Sequence, residues 1–482
     1  MLFRKPFPTS SLYSLPSTNT NTISQTLSKS KHNLIHYSTF TLFSFLFLIS
    51  WLLILFFYLP TTTTTTITTV TDTPKAATCD GSGPVYIYNL HQRFNIGLLK
   101  NCENLNIYTN MCPHVVNNGL GQPISTTTTT TSATTATPSW FATHQFIAEM
   151  IIHARLENHP CRTWDPSRAL IFYVPFYGGL YSSSVFGETN HTLRDSLAVD
   201  LVEFLESQEW WKRNNGEDHF VALGRTAWDF MRTKEGPDFG ANVLLNMPHV
   251  LNMSVLTVER NPWKGSNQIG VPYPSYFHPT MLIQMVAWQK RIREFERPHL
   301  FSFVGGKRKG LEKAKVRDEI VKQCSESSEC MLLQCGSGGS KCHEPMVVIE
   351  VMKNSRFCLQ APGDSFTRRS TFDSILAGCI PVFFSPHTAY TQYSWYLPQD
   401  THTYSVFIHE KDACGKNKIE QVLLNISNEE VKRMREVVIN LIPRITYVHP
   451  NASDVGFKDV VDVALQRLSH LVGAKVKRFG SV

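Results

Sequence analysis

Charged residues are absent from one long stretch of the sequence, residues 40–59. This run, FTLFSFLFLISWLLILFFYL, contains no Asp, Glu, Lys or Arg and has the length of ~20 residues that a helix needs to cross a bilayer. It also lacks a small-residue cleavage site, since the run ends in Tyr58 and Leu59 and Pro60 follows, which argues against a cleaved signal peptide. The sequence therefore predicts one transmembrane anchor over residues 40–59.

Acidic residues and cysteines are both missing before this segment. The tail, residues 1–39, carries only basic charge, and the next cation after the anchor is Lys75, so the positive-inside tendency predicts a cytosolic tail and a lumenal body. All eleven cysteines follow the anchor, as expected in a compartment where disulfides persist. Four glycosylation acceptors also follow it: Asn190, Asn252, Asn425 and Asn451.

A clustered basic surface is lacking as well. The formal net charge is +7, and four cations of the tail, Arg4, Lys5, Lys29 and Lys31, account for more than half of it. The remaining charge is small and scattered, whereas nucleic-acid binding requires cations concentrated on one face. Nucleic acid is therefore excluded as a partner, and a single apolar run excludes a multi-span transporter.

The cysteines lack the short paired spacing of structural zinc sites. Cys324, Cys330, Cys335 and Cys342 are separated by five, four and six residues. This spacing favours disulfides over a metal site, although it leaves their connectivity open. The odd total leaves at least one free thiol.

Two threonine-rich segments have no hydrophobic period. Residues 60–78 are interpreted as a stalk and residues 125–138 as a surface insertion, because neither segment can bury a core. The cytosolic tail, anchor and stalk thus precede a globular body that begins at residue 79.

Buried strand patterns and helical patterns alternate through this body, which predicts an α/β fold with parallel sheets. Strand-like runs include VYIYNL, RALIFYVPF and HFVALGR, and the order starts again at HLFSFVGG near residue 299. We expect two Rossmann-like domains, 79–290 on the acceptor side and 291–482 for nucleotide binding with the terminal helices. Residues 139–160 are predicted to be helical, and residues 243–247 are predicted to form a short strand.

The segment RFCLQAPGDSFTRRSTFDSILAGCIPVFFS, residues 356–385, is typical of a strand, loop, helix and second strand. Such a crossover places the loop at the carboxyl edge of the sheet, where open α/β folds bind ligands. The amides of residues 365–368 and the positive helix end suit a diphosphate. The candidate donor-binding residues here are Gly363, Asp364, Ser365, Thr367, Arg368, Arg369 and, for a ribose hydroxyl, Asp373.

A plain capped helix explains the same residues without a ligand. Ser365 or Thr367 then acts as the N-cap, and Arg369 and Asp373 form a surface ion pair that contributes ~0.5 kcal/mol. A second loop favours the ligand hypothesis, because Gly305 and Gly306 end the strand HLFSFV and are followed by Lys307 and Arg308.

At this point the sequence resembles the exostosin-like glycosyltransferase family, specifically its plant branch of xyloglucan galactosyltransferases. The blocks that carry the resemblance are GDSFTRRSTFDSILAGCIPVFF, DPSRALIFYVPFYGGL, EDHFVALGRTAWDF, VPYPSYFHP, RPHLFSFVGGKRKG and QYSWYLP. The resemblance covers residues 79 to about 470. It implies a GT-B fold, an inverting mechanism, a UDP-galactose donor and a xylose of xyloglucan as acceptor. With the type II topology that the anchor and the basic tail predict, we expect a protein of the Golgi membrane. Complexes with other wall-synthesis transferases are a further expectation.

An Asp-x-Asp pair, which metal-dependent transferases commonly use to hold a diphosphate through a divalent ion, is absent from the sequence. We therefore expect no metal and no other cofactor, with arginine and lysine in its place. Inversion requires a general base from the first domain. The two candidates are Asp229 and His219, with Glu259 and His278 also at predicted strand ends and His144 assigned to a helix away from catalysis.

Each base candidate has a structural alternative. Asp229 is four residues from Arg225 and suits an ion pair with it, and the two histidines suit buried hydrogen-bonded positions. For the whole chain, two alternatives stay open. One is the same fold with UDP-galacturonic acid or a UDP-pentose as donor, and the other is a polysaccharide-binding protein without catalytic activity.

Overall fold

The computed structural model describes residues 46–50, 79, 81–125, 138–233, 238–308, 310–336, 341–452 and 455–479. The chain divides into two compact units, Met1–Pro74 and Lys75–Val482. In the first unit residues 46–50 are helical, while the predicted tail, the stalk and the rest of the anchor lie outside the described residues, as does 126–137 of the predicted insertion. No described helix combines the length and the apolar character that crossing a membrane requires.

The first half of the body is built on a six-stranded parallel sheet with the strand order β2-β1-β3-β4-β5-β6. Its strands are β1 Val85–Ile87, β2 Arg162–Thr163, β3 Ile171–Val174, β4 His219–Thr226, β5 Ser254–Glu259 and β6 Gln268–Gly270. All four residues of β3 are buried, since helices cover both faces of a parallel sheet.

The second half is built on a five-stranded parallel sheet with the order β11-β10-β9-β7-β8. Its strands are β7 His299–Gly305, β8 Cys330–Gln334, β9 Ser355–Gln360, β10 Ile380–Phe383 and β11 Val406–Phe407. The predicted α/β fold with two parallel sheets is thus confirmed.

The helices that accompany the sheets are α1 Cys112–Val115, α2 Ala148–Glu157, α3 Gly178–Ser184, α4 His191–Ser207, α5 Glu209–Asn214, α6 Leu282–Glu294, α7 Val316–Glu326, α8 Pro345–Lys353, α9 Ser370–Leu376, α10 Lys418–Leu424, α11 Asn428–Ile445 and α12 Val460–Phe479. Position 290 falls inside α6, which packs on the second half: Trp288 Nε1 donates to the Leu376 carbonyl at 2.9 Å. The last helix returns to the first half, where Ser469 accepts from the Gly83 amide at 2.9 Å.

Two sequence-based expectations for secondary structure are wrong. Residues 139–147 are not helical, because the Phe141 amide donates to the Tyr276 carbonyl at 2.9 Å and the Ala142 amide to the Gln122 carbonyl at 2.8 Å. These amides serve extended pairing, so α2 begins only at Ala148. The apolar residues at 243–247 form the 3-10 helix Leu244–Asn246 instead of a strand. In both places tertiary contacts override the local pattern.

Disulfides, not zinc, account for the clustered cysteines. Cys324 pairs with Cys330, and Cys335 pairs with Cys342, as the spacing favoured. Two further bridges are Cys102–Cys112 and Cys358–Cys379. The last one joins β9 to the residue before β10 and so closes the crossover that carries the loop at residues 361–369.

Candidate active site

The carboxyl ends of the two sheets meet at a contact between loops. Glu259 ends β5 and accepts hydrogen bonds from the Thr367 amide at 2.7 Å and the Phe366 amide at 3.2 Å, both in the loop after β9. The next residue, Arg260, donates its amide to the Gln392 side chain at 2.8 Å. Because ligands bind beyond the carboxyl ends of parallel strands, this junction is the candidate ligand-binding site.

The Phe366 and Thr367 amides of the loop at residues 361–369 are not free for a ligand. The helix begins only at Ser370, and neither Ser365 nor Thr367 is its N-cap, contrary to the capped-helix alternative. The fully buried Glu259 carboxylate accepts from the Phe366 and Thr367 amides, from the Thr367 hydroxyl and from Trp228 Nε1 at 2.7 Å. A buried carboxylate needs such donors to compensate for lost hydration. The expectation that these amides and Thr367 hold a diphosphate is therefore corrected, since Glu259, which lies 107 positions before Phe366, occupies them.

Arg369 and Asp373 hold the two halves together. The Arg369 guanidinium lies 4.5 Å from the centre of the Tyr276 ring, donates to the Thr143 carbonyl at 3.2 Å and is 3.4 Å from Asp373. Asp373 is buried and also accepts from the Ser275 hydroxyl at 2.6 Å, and burial raises its pKa. The buried Asp373 is not accessible to a ribose hydroxyl, so its donor-binding assignment is corrected, and the pair is not a surface ion pair either. Arg369 is 19% exposed but is engaged by first-half groups, and its role in donor binding stays a prediction.

Arg368 points to the other side of the loop. Its guanidinium packs on Gly363, where an added Cβ would lie 1.7 Å from Nη2, so this close approach requires glycine. Within the described part of the chain, Arg368 has no hydrogen-bond or ion-pair partner, and burial is the main cause of its lowered pKa. The Gly363 amide donates to the Ser365 carbonyl at 2.9 Å, which closes a tight turn beneath it.

Three more cations share this side of the loop with Arg368, and together they form what we call the cationic cluster: Arg308, Lys313, Arg317 and Arg368. Arg317 ties the loops after β7 and β9 together, donating to the Gly306 carbonyl at 2.6 Å and the Ala361 carbonyl at 3.1 Å. Burial, together with Arg368 and Arg308, lowers the pKa of Arg317 to about 9. Arg317 therefore remains charged at neutral pH.

Acidic residues neutralise the cationic cluster only in part. Arg308 Nε is 3.2 Å from the exposed Asp364, and Glu259 contributes a second nearby carboxylate. Four cations against two carboxylates leave two positive charges, the complement of a bridging diphosphate diester. Lys307 is exposed, and its carbonyl accepts a hydrogen bond from Arg308 of the cationic cluster. Lys307 therefore lies at the solvent-exposed side of the cluster.

Sequence reasoning missed Lys313 and Arg317. They lie four residues apart just beyond the Gly-Gly-Lys-Arg block, a spacing that would have marked them as one face of a helical segment. No group of three or more His, Cys, Asp or Glu side chains suited to a metal occurs within the described ranges. The prediction of a metal-independent site stays a prediction.

His219 is not placed to act as a base. It begins β4, at the amino edge of the first sheet, and is enclosed between Asp218 at 2.7 Å and the Tyr88 hydroxyl at 2.8 Å. Its ring stacks on Phe172 with centroids 4.8 Å apart, and burial lowers its pKa. The catalytic assignment of His219 is therefore wrong, because no acceptor reaches a buried ring at the opposite edge.

His278 is enclosed as well, between the Tyr447 carbonyl at 2.7 Å and Thr143 at 2.9 Å, and burial lowers its pKa to about 4. His144 lies in the segment before α2 rather than in a helix. Burial and the nearby His114 lower the pKa of this half-buried histidine to about 3, so it is neutral at neutral pH.

Asp229 lies at the carboxyl edge, in the short helical turn that follows β4. Its carboxylate accepts from Arg225 Nε at 2.9 Å and from the Thr226 hydroxyl at 3.0 Å, which is the ion pair that its spacing suggested. The side chain is 16% exposed. Asp229 is thus the partly accessible one of the two predicted bases.

Three of the predicted glycosylation acceptors, Asn190, Asn425 and Asn451, are exposed. Asn190 also caps α4, since its side-chain oxygen accepts from the Thr192 amide at 3.0 Å. Asn252 is half-buried and donates Nδ2 to the Asn215 carbonyl at 3.1 Å. Modification at these positions stays a prediction.

Comparison with known proteins identifies the family. A family model described as the exostosin GT47 domain matches residues 80–423. The chain is 65% identical over 392 residues to a protein named probable xyloglucan galactosyltransferase GT17 of Arabidopsis thaliana, covering 81% of this chain and 83% of that protein.

Two other proteins of the same plant are also similar. The xyloglucan galactosyltransferase MUR3 is 43% identical over 393 residues, which is 81% of this chain and 62% of that protein. A xyloglucan-specific galacturonosyltransferase 1 is 37% identical over 398 residues, covering 82% and 58%. Since the family model spans most of the sequence and the first of these relatives is 65% identical over most of both chains, the chain belongs to the exostosin GT47 family of glycosyltransferases.

Proposed function

We propose that this chain transfers galactose from UDP-galactose to xylosyl side chains of xyloglucan, with inversion at the anomeric carbon. The observation that carries the proposal is the 65% identity over 81% of the chain to a protein named as a probable xyloglucan galactosyltransferase. The surplus of positive charge in the cationic cluster supports a nucleotide diphosphate as the leaving group.

In the reaction, an acceptor hydroxyl attacks the anomeric carbon of the donor sugar. The bond between that carbon and the β-phosphate oxygen breaks as the new bond forms. Negative charge then grows on the diphosphate, and Arg368, Lys313 and Arg308 stabilise it. Asp229 is the group that we assign to take the proton from the acceptor hydroxyl, because it lies on the first half at the carboxyl edge. Arg225 orients its carboxylate.

The remaining expectations are part of the same proposal. The chain is a single-pass type II protein of the Golgi membrane, with residues 40–59 as its anchor and the body in the lumen. It acts without a divalent metal, in two Rossmann-like domains of the GT-B type. Complexes with other wall-synthesis transferases are included, and nucleic acid is not a partner.

Transfer assays test this proposal. The full-length chain, purified in detergent, is incubated with xyloglucan and UDP-galactose, UDP-galacturonic acid or a UDP-pentose, and products are identified by mass spectrometry. We expect galactose transfer that persists in EDTA. Transfer only from UDP-galacturonic acid would change the assigned donor from UDP-galactose to UDP-galacturonic acid. This donor is included because the chain is 37% identical to a protein named as a galacturonosyltransferase. No transfer from any donor would refute the enzymatic proposal.

The role of Asp229 has its own test. In Asp229→Asn we expect kcat to fall ~100-fold or more while UDP affinity is retained, as for loss of a general base. A large fall in melting temperature with unchanged kcat would instead assign Asp229 to the ion pair with Arg225 alone.

A further inference from the structure

An exposed tryptophan stands beside the loop contact between the two halves. Trp263 follows β5 and leaves 63% of its surface in contact with solvent. Its ring centre is 5.7 Å from Phe366, 5.1 Å from His387 and 6.2 Å from Trp228. The Phe366 and His387 rings lie at 70° and 65° to the indole, and most of the indole stays exposed to solvent, where a ligand can contact it.

The backbone around Trp263 is held on both sides. Asn261 Oδ1 accepts from the Trp263 amide at 2.9 Å and from the Lys264 amide at 3.0 Å. The Asn261 amide donates to Gln268 at 2.8 Å, which anchors the turn to β6. Arg260 is anchored to Gln392 in the second half. The indole therefore lies on a turn whose backbone is already ordered. Binding of a ligand then costs little entropy for ordering this turn.

The rings that contact Trp263 carry no charge, whereas the charged residues Arg260 and Lys264 lie close to it along the chain. Burial lowers the pKa of His387, so this ring is uncharged at neutral pH, and it contacts the Thr391 hydroxyl at 3.1 Å. Phe366 contacts both Trp263, with ring centres 5.7 Å apart, and the cationic cluster, since Lys313 Nζ lies 5.2 Å from the centre of the Phe366 ring. Aromatic faces flanked by neutral polar groups suit the C–H face and hydroxyls of a sugar ring better than a charged ligand.

We propose that Trp263 is a stacking platform for a pyranose ring of the polysaccharide acceptor, with Phe366 and His387 beside it. The proposal rests on the proposed function, since it takes the acceptor to be a polysaccharide. The position favours acceptor over nucleobase: Trp263 belongs to the first half, and its neighbour Trp228 directly precedes the assigned base Asp229.

Kinetics with a matched pair of tryptophans tests the proposal in the full-length chain. Trp164 is the control, because it is 77% exposed but its ring is covered by the Arg162 guanidinium at 3.5 Å. In Trp263→Ala we expect KM for a xyloglucan oligosaccharide to rise about tenfold, with kcat and UDP affinity unchanged. Trp263→Phe should restore most of the loss, and Trp164→Ala should behave as the wild type.

Other outcomes overturn the proposal. An unchanged acceptor KM in Trp263→Ala refutes the platform, and weakened UDP affinity by calorimetry would assign Trp263 to the nucleobase instead. The proposed function fails separately, if the wild-type chain transfers no sugar to xyloglucan. In that case affinity electrophoresis in xyloglucan tests the platform. If the platform is correct, xyloglucan retards the wild type and Trp164→Ala but not Trp263→Ala. Equal mobility of all three proteins refutes it.

Discussion

Two adjacent arginines on one loop have opposite roles. Arg369 contacts Tyr276, the Thr143 carbonyl and Asp373, so its charge is spent on joining the two halves. Arg368 packs on Gly363 and has no ion-pair partner among the described residues. One side of the loop at residues 361–369 is thus internally neutralised, and the other side carries uncompensated charge.

This difference shows which of the two arginines can contribute to the free energy of binding an anionic ligand. A buried cation with a carboxylate partner stabilises the fold only while both partners are present. A cation that lacks such a partner is already desolvated and gains most when an anion arrives. The same sequence motif therefore supplies a structural contact and a candidate ligand contact from neighbouring positions.

The largest effect is expected on the neutralised side. Asp373→Ala removes a buried carboxylate and leaves Arg369 and Ser275 without their partner, so unfolding free energy should fall by ~3–5 kcal/mol. Thermal denaturation measures this loss. The control is Asp364→Ala, an exposed carboxylate of the same loop, which should melt near the wild-type temperature. Equal melting temperatures for the two variants would contradict the comparison.

Arg368→Ala should have the next largest effect, on activity instead of stability. Loss of one positioned cation typically reduces kcat ~10²–10³-fold, or ~2.7–4 kcal/mol, because the diphosphate loses stabilisation as it leaves. Steady-state transfer assays and melting curves are measured together. Arg369→Ala should show the reverse, with a clearly lowered melting temperature. If Arg368→Ala lowers the melting temperature instead, its charge is structural too.

The disulfide Cys358–Cys379 joins β9 to the residue before β10, so it closes the segment that carries both arginines and belongs to neither side of the loop. Replacing both cysteines by alanine frees a loop with a sequence separation of 21 residues, which should lower unfolding free energy by ~3 kcal/mol. Donor KM measured below the new melting temperature should stay unchanged. A selective rise in donor KM would show that the bridge positions Arg368.

The smallest effect is expected for Gly363→Ala. The added methyl group displaces the flexible end of Arg368, so donor KM should rise about tenfold while the melting temperature changes little. Gly187→Ala is the matched control, since nothing lies within 4 Å of its added Cβ. A variant with wild-type donor KM would mean that the guanidinium position on Gly363 is not used in binding.

Sequence patterns were sufficient for much of the fold. Continuous apolar runs such as the one at 171–174 mark strands buried on both faces, and their alternation with helical patterns marks parallel sheets. The pattern failed at residues 139–147, where amides pair with the carbonyls of distant residues. Local period carries no information about such partners.

For the candidate site as well, sequence patterns identified the local features and failed where distant residues make contacts. The sequence identified the loops after β7 and β9, including Arg308, Gly363 and Arg368. It assigned Thr367, Arg369 and Asp373 to the nucleotide, although Glu259, Tyr276 and Ser275 occupy them in the structure. It also missed Lys313 and Arg317, whose charges become significant only when the two loops come together.

By itself, the amino-acid sequence determined the parallel α/β class, the loops that gather at one edge, and the preference for disulfides over zinc, because these depend on neighbours along the chain. Only the tertiary structure decided which charges are neutralised. That outcome depends on pairs such as Glu259 with Thr367, which are far apart in sequence, and electrostatic compensation follows distance in space.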